Sequence, residues 1–318
     1  MSERMSSIGR IIGGEPDQRK TIETFSEDRF DRQDLLKGER EKTPTEEVII
    51  DLANEATDAL RMHYGIEPFP VPSKNIHVIK MEEWGNGKES GRTNYVDQNI
   101  LMVEWASRLL FAKEVLHELI HFKSMMIWEL KDGDLDKKGL FLTEAPSPDF
   151  PEGRQTSVLD YRIGLRVRSR PEGKRHFDAF NEAIAEELAK IILEGWRTNS
   201  LFSAEWKQTQ RLMQENQLED EELIYLEEVE DDRIRGMKFT YKQERQVLHL
   251  LIQKLFERNP DRYKNSEEIF DLFVKNCFTG KLLELGTLID RTFGVGTFRK
   301  IGEYDADAEG LEKYIAGL

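Results

Sequence analysis

The sequence contains a single cysteine, Cys277, among its 318 residues. One cysteine cannot form an intramolecular disulfide, so a disulfide-stabilised scaffold is excluded and a reducing compartment is favoured. Because Cys277 stands beside Phe278, we interpret it as a small buried hydrophobic residue rather than a reactive thiol.

Long hydrophobic runs and a positive net charge are also missing. No stretch approaches the roughly 20 apolar residues that a membrane helix needs, and the first residues lack the apolar core of a signal peptide. We therefore predict a cytoplasmic protein without a membrane partner. The 61 acidic residues exceed the 46 basic ones and give a formal net charge of −15. This charge repels phosphate backbones, so nucleic acid is not expected as a partner.

The two ends of the chain differ in composition. Residues 1–42 are polar and highly charged, with few aliphatic side chains to bury, and we predict a disordered or loosely attached arm there. Residues 43–318 are long enough to form one domain with a substantial core. This domain begins at Thr43-Pro44-Thr45-Glu46, which is typical of a helix N-terminus because it can form a capping box.

The folded part shows two successive patterns. Within residues 43–176, short β-type runs at 76–79 and 100–103 precede an apolar helix from about 107 to 130. Within residues 177–318, apolar residues recur mainly with helical spacing. The sequence therefore predicts an α+β fold. A small mixed sheet and a central helix form the N-terminal lobe, an all-helical lobe follows, and the cleft between them is a common place for a site.

Two acidic segments are interpreted without a specific function. Asp132-Gly133-Asp134-Leu135-Asp136 resembles the start of an EF-hand loop, but Lys137 replaces the turn glycine and Thr143 stands at position twelve. We therefore favour a flexible acidic loop over a calcium site, within a loop or insert spanning 131–157. The run from Glu219 to Asp232 is interpreted as solvated surface.

A basic pattern lies on the hairpin that is predicted around residues 161–169. Its members can attract acidic substrates, but a solvated hairpin face is the favoured interpretation. The residues are Arg162, Arg166, Arg168 and Arg170.

The strongest signal is the segment His117-Glu118-Leu119-Ile120-His121, an H-E-x-x-H motif. Residues four apart lie on one face of a helix, so His117 and His121 can direct two imidazoles at one metal ion. Glu118, next to the first imidazole, can accept a proton from the water that zinc activates. The motif has apolar neighbours, and buried polar side chains are costly unless they are paired or bind a metal. The alternative is a pair of hydrogen-bonded core histidines and a salt-bridged Glu118.

A catalytic zinc needs a third protein ligand. The extension found in metzincins is absent, because Ser124 and Ile127 stand where that family has Gly and His. The better candidate lies on a helix that begins Asn181-Glu182-Ala183-Ile184-Ala185-Glu186. H-E-x-x-H followed by a helix with Glu-x-x-x-Asp/Glu resembles the gluzincins, the thermolysin-like clan of zinc peptidases, and especially their small minimal-domain members.

The resemblance implies a zincin-like N-terminal lobe and a single bound zinc ion. It implies Glu182 as the third ligand, the alternative being an exposed helix charge, and Glu186 as a hydrogen-bond partner of a liganding imidazole. Glu118 is then the general base in peptide-bond hydrolysis. Substrate peptides pair with an edge strand in this family, which makes Asn94 and Tyr95 candidate substrate-binding residues.

A residue that stabilises the tetrahedral oxyanion is also expected from the resemblance, usually Tyr or His. Tyr241 is our preferred candidate because it starts a helix that follows the two metal-binding helices. His176, in the predicted hairpin before Glu182, is the alternative.

Two other functions stay open at the level of the sequence. One is a zinc amidase that acts on a small molecule. The other is a non-catalytic zinc protein whose helical lobe serves as an interaction module. The substrate, the cleavage preference, the oligomeric state and a pro-segment role of the arm are not predicted.

Overall fold

The computed structural model describes most of the chain. The described residues are 8–13, 16, 18–20, 38–84, 90–95, 98–132, 140–143, 155–169, 173–229, 233–304 and 307–318. They form a mixed α and β fold in which helices predominate. Most of the EF-hand-like segment, with Asp134, Asp136 and Lys137, lies outside the described residues, as does Arg170.

A four-stranded sheet and two helices form the first part of the fold. These elements are β2 (Glu39–Arg40), α1 (Pro44–His63), β3 (Ile76–Ile79), β4 (Gly91–Asn94), β5 (Asn99–Val103) and α2 (Arg108–Lys123). The strand order is β2-β3-β5-β4, with β3 and β5 parallel and β4 antiparallel to β5. Strand β4 is therefore an edge of this sheet, and it lies next to α2.

Helix α1 begins where the capping box predicts. Thr43 Oγ1 accepts a hydrogen bond from the Glu46 amide at 3.2 Å, and Glu46 Oε2 accepts one from the Thr43 amide at 2.7 Å. These reciprocal bonds satisfy two amides that a helix N-terminus otherwise leaves unpaired, and the predicted start is confirmed.

A second sheet follows α2. Its strands are β1 (Ile8–Gly13), β6 (Met126–Asp132), β7 (Leu140–Thr143), β8 (Gln155–Ile163), β9 (Arg166–Arg168) and β10 (Arg175–His176). The order is β1-β6-β8-β9-β10, and β7 also pairs with β8. Strand β1 is parallel to β6, and the other pairs are antiparallel.

This sheet corrects two expectations. The helix predicted from 107 to 130 ends at Lys123, and a strand begins at Met126. Met126, Trp128 and Leu130 alternate into a small second core, a period that a continuous apolar run conceals. The segment 131–157, expected to be a loop, contains β7 and the start of β8.

Residues 1–42 are a further correction. Ile8–Gly13 pairs with Met126–Leu130 in the second sheet, and Glu39–Arg40 pairs with Val78 and Ile79 in the first. The expectation of a disordered arm therefore does not hold for these two strands. Sequence composition missed them because their backbone hydrogen bonds are made with distant segments.

Helices predominate among the described residues from 177 to 318, and two strands form a hairpin. Its elements are α3 (Asp178–Gly195), α4 (Ser203–Glu215), β11 (Leu223–Val229), β12 (Arg233–Lys238), α5 (Lys242–Arg258), α6 (Ser266–Thr279), α7 (Leu282–Phe293), α8 (Thr297–Glu303) and α9 (Ala308–Ala316). The antiparallel β11–β12 pair contradicts an all-helical lobe over 177–318. The interpretation of Glu219–Asp232 as solvated surface does not hold for Leu223, Ile224 and Leu226, which are buried; residues 230–232 of this run lie outside the described residues.

The main apolar core runs through both halves of the chain. Helix α2 is central to it and packs against α1 and α3. None of the helices in the described part of the chain has the length and apolarity required to cross a membrane.

Candidate metal centre

The H-E-x-x-H residues lie on the most buried helix of the fold. Ser107 caps α2 by accepting a hydrogen bond from the Leu110 amide at 3.3 Å, and every residue from Leu109 to Lys123 is buried. His117 and His121 are one turn apart, and their Nε2 atoms are 3.1 Å from each other. The helix therefore directs both imidazoles at one point.

Helix α3 brings Glu182 to the same point. Glu182 Oε2 is 3.0 Å from His121 Nε2 and 3.3 Å from His117 Nε2. In a tetrahedral zinc site with bonds of about 2.0–2.2 Å, ligand atoms lie about 3.3–3.6 Å apart. The observed triangle is within a few tenths of an ångström of that edge length, and two imidazoles and one carboxylate are a donor set that suits zinc. The residues present therefore fit a zinc ion.

Glu182 and His117 strongly affect each other's pKa. Burial disfavours the charged form of both partners, yet the two imidazoles hold the pKa of Glu182 well below its ordinary value. Against burial, contacts with Glu182 and Glu186 raise the pKa of His117 to about 10. Without a metal, a proton on His117 therefore balances the buried carboxylates.

Glu186 holds His117 from the other side of the ring. Its Oε2 is 2.8 Å from His117 Nδ1 and 3.0 Å from Lys113 Nζ. Its Oε1 accepts hydrogen bonds from the Thr240 amide at 2.5 Å and the Thr240 hydroxyl at 2.8 Å. Although burial opposes ionisation, Lys113 and His117 lower the pKa of Glu186. A ring held at Nδ1 presents its Nε2 to the metal position.

The adjacent Glu187 faces elsewhere. It pairs with Arg245 at 3.0 Å and His249 at 3.4 Å. Of these two neighbouring glutamates, the structure brings Glu186 and not Glu187 to a candidate ligand.

Asn181 contacts the second imidazole, a role that the sequence analysis did not assign. Its Nδ2 lies 3.2 Å from His121 Nδ1, and its Oδ1 accepts a hydrogen bond from the Leu165 amide at 3.0 Å. Asn181 is almost fully buried. The available signal was a short polar residue directly before the candidate ligand on an otherwise apolar helix face.

Glu118 projects into the cavity beside the triangle. Thr93, on the edge strand β4, donates a hydrogen bond from its hydroxyl to Glu118 Oε2 at 2.5 Å. A Cβ at Gly91 would lie only 2.7 Å from Glu118 Oε1, so a side chain at this position would displace the Glu118 carboxylate. Burial raises the pKa of Glu118, although the two imidazoles oppose this. A carboxylate with a raised pKa is a stronger proton acceptor.

Tyr241 is the candidate oxyanion-stabilising residue that lies at the site. Its ring stacks on His117, with centroids 5.8 Å apart and an interplanar angle of 8°. It begins α5 with a left-handed φ of 53°, a conformation that costs energy outside glycine and often marks functional positions. Burial and the nearby Glu182 raise the pKa of Tyr241, so the phenol keeps its proton and can act as a donor.

The remaining candidates differ in position. Tyr95 lines the same cavity as the triangle, and its ring stacks on Phe122 with centroids 6.3 Å apart. Asn94 ends the edge strand β4 and is not among the residues lining that cavity. His176 Nδ1 is 3.1 Å from the Gly302 carbonyl oxygen, and His176 does not line the cavity either.

Arg162 and Arg166 of the hairpin do not belong to a solvated face. The Arg162 guanidinium is buried and donates to the carbonyl oxygens of Gly164 and Gly280 at 2.7 and 2.5 Å. Arg166 pairs with Asp160 and Asp178, each at 3.2 Å. The favoured interpretation of the sequence pattern was therefore wrong for these arginines.

One cavity of about 530 Å³ lies beside the metal triangle. It is lined by the triangle, Glu118, the edge strand and a set of charged residues. The cavity is large enough to admit a segment of a peptide.

Comparisons with known proteins give no relative for this chain. No protein-family model matches it, and neither a curated protein nor a solved structure does.

Proposed function

We propose that this chain is a single-zinc metallopeptidase of the gluzincin type. The observation that carries the proposal is the triangle of His117, His121 and Glu182, whose candidate ligand atoms are 3.0 to 3.3 Å apart. A structural zinc site normally has four protein ligands, whereas a catalytic site has three and one open position. Among the described residues, the group that could hold a metal has three members, which favours catalysis.

The residues around the triangle can carry out hydrolysis. Zinc bound there would supply Lewis acidity, which polarises a carbonyl group and lowers the pKa of water to about 7. Glu118 accepts the proton of the attacking water and later donates it to the leaving amine. The Thr93 hydroxyl orients the Glu118 carboxylate through its hydrogen bond of 2.5 Å.

Two further elements support a peptide substrate. The Tyr241 hydroxyl can donate a hydrogen bond to the oxyanion of the tetrahedral intermediate, because its pKa is raised and it stays protonated. Strand β4 is an edge of its sheet and borders the cavity through Gly91 and Thr93. An extended peptide can add to such an edge by main-chain hydrogen bonds, with side-chain pockets giving specificity.

The test is the Glu118→Gln variant of the zinc-loaded chain. We expect it to retain one zinc per chain and to lose about 10²- to 10⁴-fold in turnover, the usual contribution of a general base. Glu187→Gln is the matched control, because Glu187 lies near the site but pairs with Arg245 and His249. Turnover by Glu118→Gln at the wild-type rate contradicts the proposed mechanism.

Two further assays separate the other candidate functions from a peptidase. Hydrolysis of small amides but not of peptides would identify a zinc amidase. Stoichiometric zinc without binding of a hydroxamate inhibitor would identify a non-catalytic zinc protein.

A further inference from the structure

Three arginines line the wall of the cavity, beside four carboxylates. Arg166 and Arg175 come from β9 and β10, and Arg92 comes from the edge strand β4. This grouping runs against the composition of the chain, whose formal net charge is −15. Positive groups that line a cavity of an acidic protein attract anionic ligands locally.

The carboxylates of this wall are already engaged. Asp160 pairs through Oδ2 with Arg166 at 3.2 Å and through Oδ1 with Arg168 at 2.5 Å. Asp178 Oδ1 pairs with Arg166 at 3.2 Å. Neither carboxylate is therefore well placed to attract a basic substrate.

Arg175 is the least compensated member of the cluster. Its ion pair with Asp178 is long, at 3.9 Å, and its side chain is 47% exposed. In the described part of the chain, the guanidinium groups of Arg166, Arg168 and Arg175 share the carboxylates of Asp160 and Asp178. Each of these two carboxylates is therefore shared by two guanidinium groups, and Arg175 has the longest of the four ion pairs.

The position of Arg175 relative to the metal triangle follows from α3. Asp178 and Glu182 are four residues apart on that helix, so they lie on one face, about 6 Å apart at Cβ. Arg175, paired with Asp178, is therefore about one helical turn from the candidate ligand. An extended substrate advances about 3.4 Å per residue. The guanidinium can thus meet a group one or two residues from the scissile bond.

We propose that the cavity selects a substrate carboxylate one or two residues from the scissile bond, and that Arg175 binds it. The proposal rests on the proposed peptidase function and names its substrate class. The carboxylate is either an acidic side chain or the terminal α-carboxylate, which present the same chemistry to a guanidinium. A charge-assisted hydrogen bond of this kind changes binding by about 10- to 100-fold.

The experiment uses internally quenched nonapeptides with Glu, Gln or Lys fixed at each position in turn. Each set is made with a free and with an amidated C-terminus. Both kcat/KM of the zinc-loaded wild type and peptide Kd of zinc-loaded Glu118→Gln are measured, so that binding is read independently of turnover. Arg175→Gln and Arg175→Glu are compared with Arg211→Gln. Arg211 is a suitable control because its side chain is 60% exposed and it lies on α4, away from the cavity.

We expect a preference for a carboxylate of about tenfold or more, in both kcat/KM and Kd. It is either Glu over Gln at one position or a free over an amidated C-terminus. Arg175→Gln removes this preference, Arg175→Glu shifts it towards Lys, and Arg211→Gln retains it. A Glu-over-Gln preference assigns a side chain, and a preference for the free C-terminus assigns the α-carboxylate.

Three results overturn the proposal. Equal cleavage of Glu and Gln peptides by the wild type, together with equal cleavage of the free and amidated peptides, does so while leaving the peptidase function standing. An acidic preference that survives in Arg175→Gln does so as well. If the zinc-loaded chain neither binds nor cleaves any peptide, the substrate class and the peptidase function fail together.

Discussion

Replacing Glu186 by glutamine tests whether the groups behind the metal triangle act on zinc. The Glu186 side chain is 0% exposed and lies between His117 Nδ1 at 2.8 Å and Lys113 Nζ at 3.0 Å. A glutamine retains an oxygen that accepts from Thr240, but its NH2 group would then face two other donors, His117 Nδ1 and Lys113 Nζ. Lys113 would also lose one of its carboxylate partners. Breaking a buried ion pair costs about 3–5 kcal/mol, and losing the partner of a liganding imidazole lowers metal affinity about 10- to 100-fold.

Glu187→Gln is the matched control for this prediction. Glu187 is the next residue of α3 and also pairs with a cation, but its Arg245 partner retains Glu222. We therefore expect Glu187→Gln to lose less unfolding free energy than Glu186→Gln, because the buried Arg245 charge stays paired, and to bind zinc as the wild type does.

The assay has two parts. Urea denaturation of the chelator-treated proteins gives the unfolding free energy, and competition with a chromophoric chelator gives the zinc Kd of the folded proteins. Zinc affinity of Glu186→Gln within twofold of the wild type would refute the reasoning. An equal loss of affinity in Glu187→Gln would refute it too, because the effect would then not depend on contact with His117.

The pKa values of Lys123 and His117 and the close approach of Gly91 to Glu118 give three further predictions. Burial lowers the pKa of Lys123 to about 8. Above that pH the unfolded chain therefore binds more protons than the folded one. In urea titrations, the unfolding free energy of the wild type relative to Lys123→Met should rise by about 2 kcal/mol between pH 8 and 10. A difference that does not change with pH contradicts this prediction. Because the pKa of His117 is raised to about 10, zinc must displace a proton from this ring when it binds. Calorimetry should therefore show that zinc affinity rises with pH between 7 and 9. A zinc affinity that does not depend on pH contradicts this prediction. Gly91→Ala should displace the Glu118 carboxylate, which lies 2.7 Å from the added Cβ, and lower kcat about tenfold or more at unchanged zinc content. Gly195→Ala is the control and should leave kcat unchanged, because open space surrounds Gly195. Equal rates of the two variants in steady-state assays contradict this prediction.

Local patterns in the sequence predict local structure well. The capping box fixes the start of α1 because both of its bonds are made within four residues. His117 and His121 share a helix face for the same reason, since their spacing matches one helical turn. Glu182 was a candidate only through a resemblance, and the structure brings it within 3.3 Å of both imidazoles. The metal-binding role of all three residues stays a prediction.

Features that depend on distant contacts were missed. Arg162 is buried because carbonyl oxygens of Asn276 and Gly280, more than 110 residues away in sequence, accept its hydrogen bonds. The charged residues of β11 conceal a strand in which Leu223, Ile224 and Leu226 are buried. The ion pair of Lys113 with Glu186 joins two helices that are separate in sequence. None of these pairings has a local signal, because each is formed by tertiary packing.

The most direct test of the central claim is zinc K-edge X-ray absorption of the purified, zinc-loaded chain. Two imidazole nitrogens and oxygen ligands at about 2.0–2.1 Å are expected, in a four-coordinate site without sulfur. The wild type should bind one zinc per chain, and Glu182→Gln should lose an oxygen ligand and most of its affinity. A spectrum without histidine scattering, or one that Glu182→Gln leaves unchanged, would contradict a zinc site built from His117, His121 and Glu182.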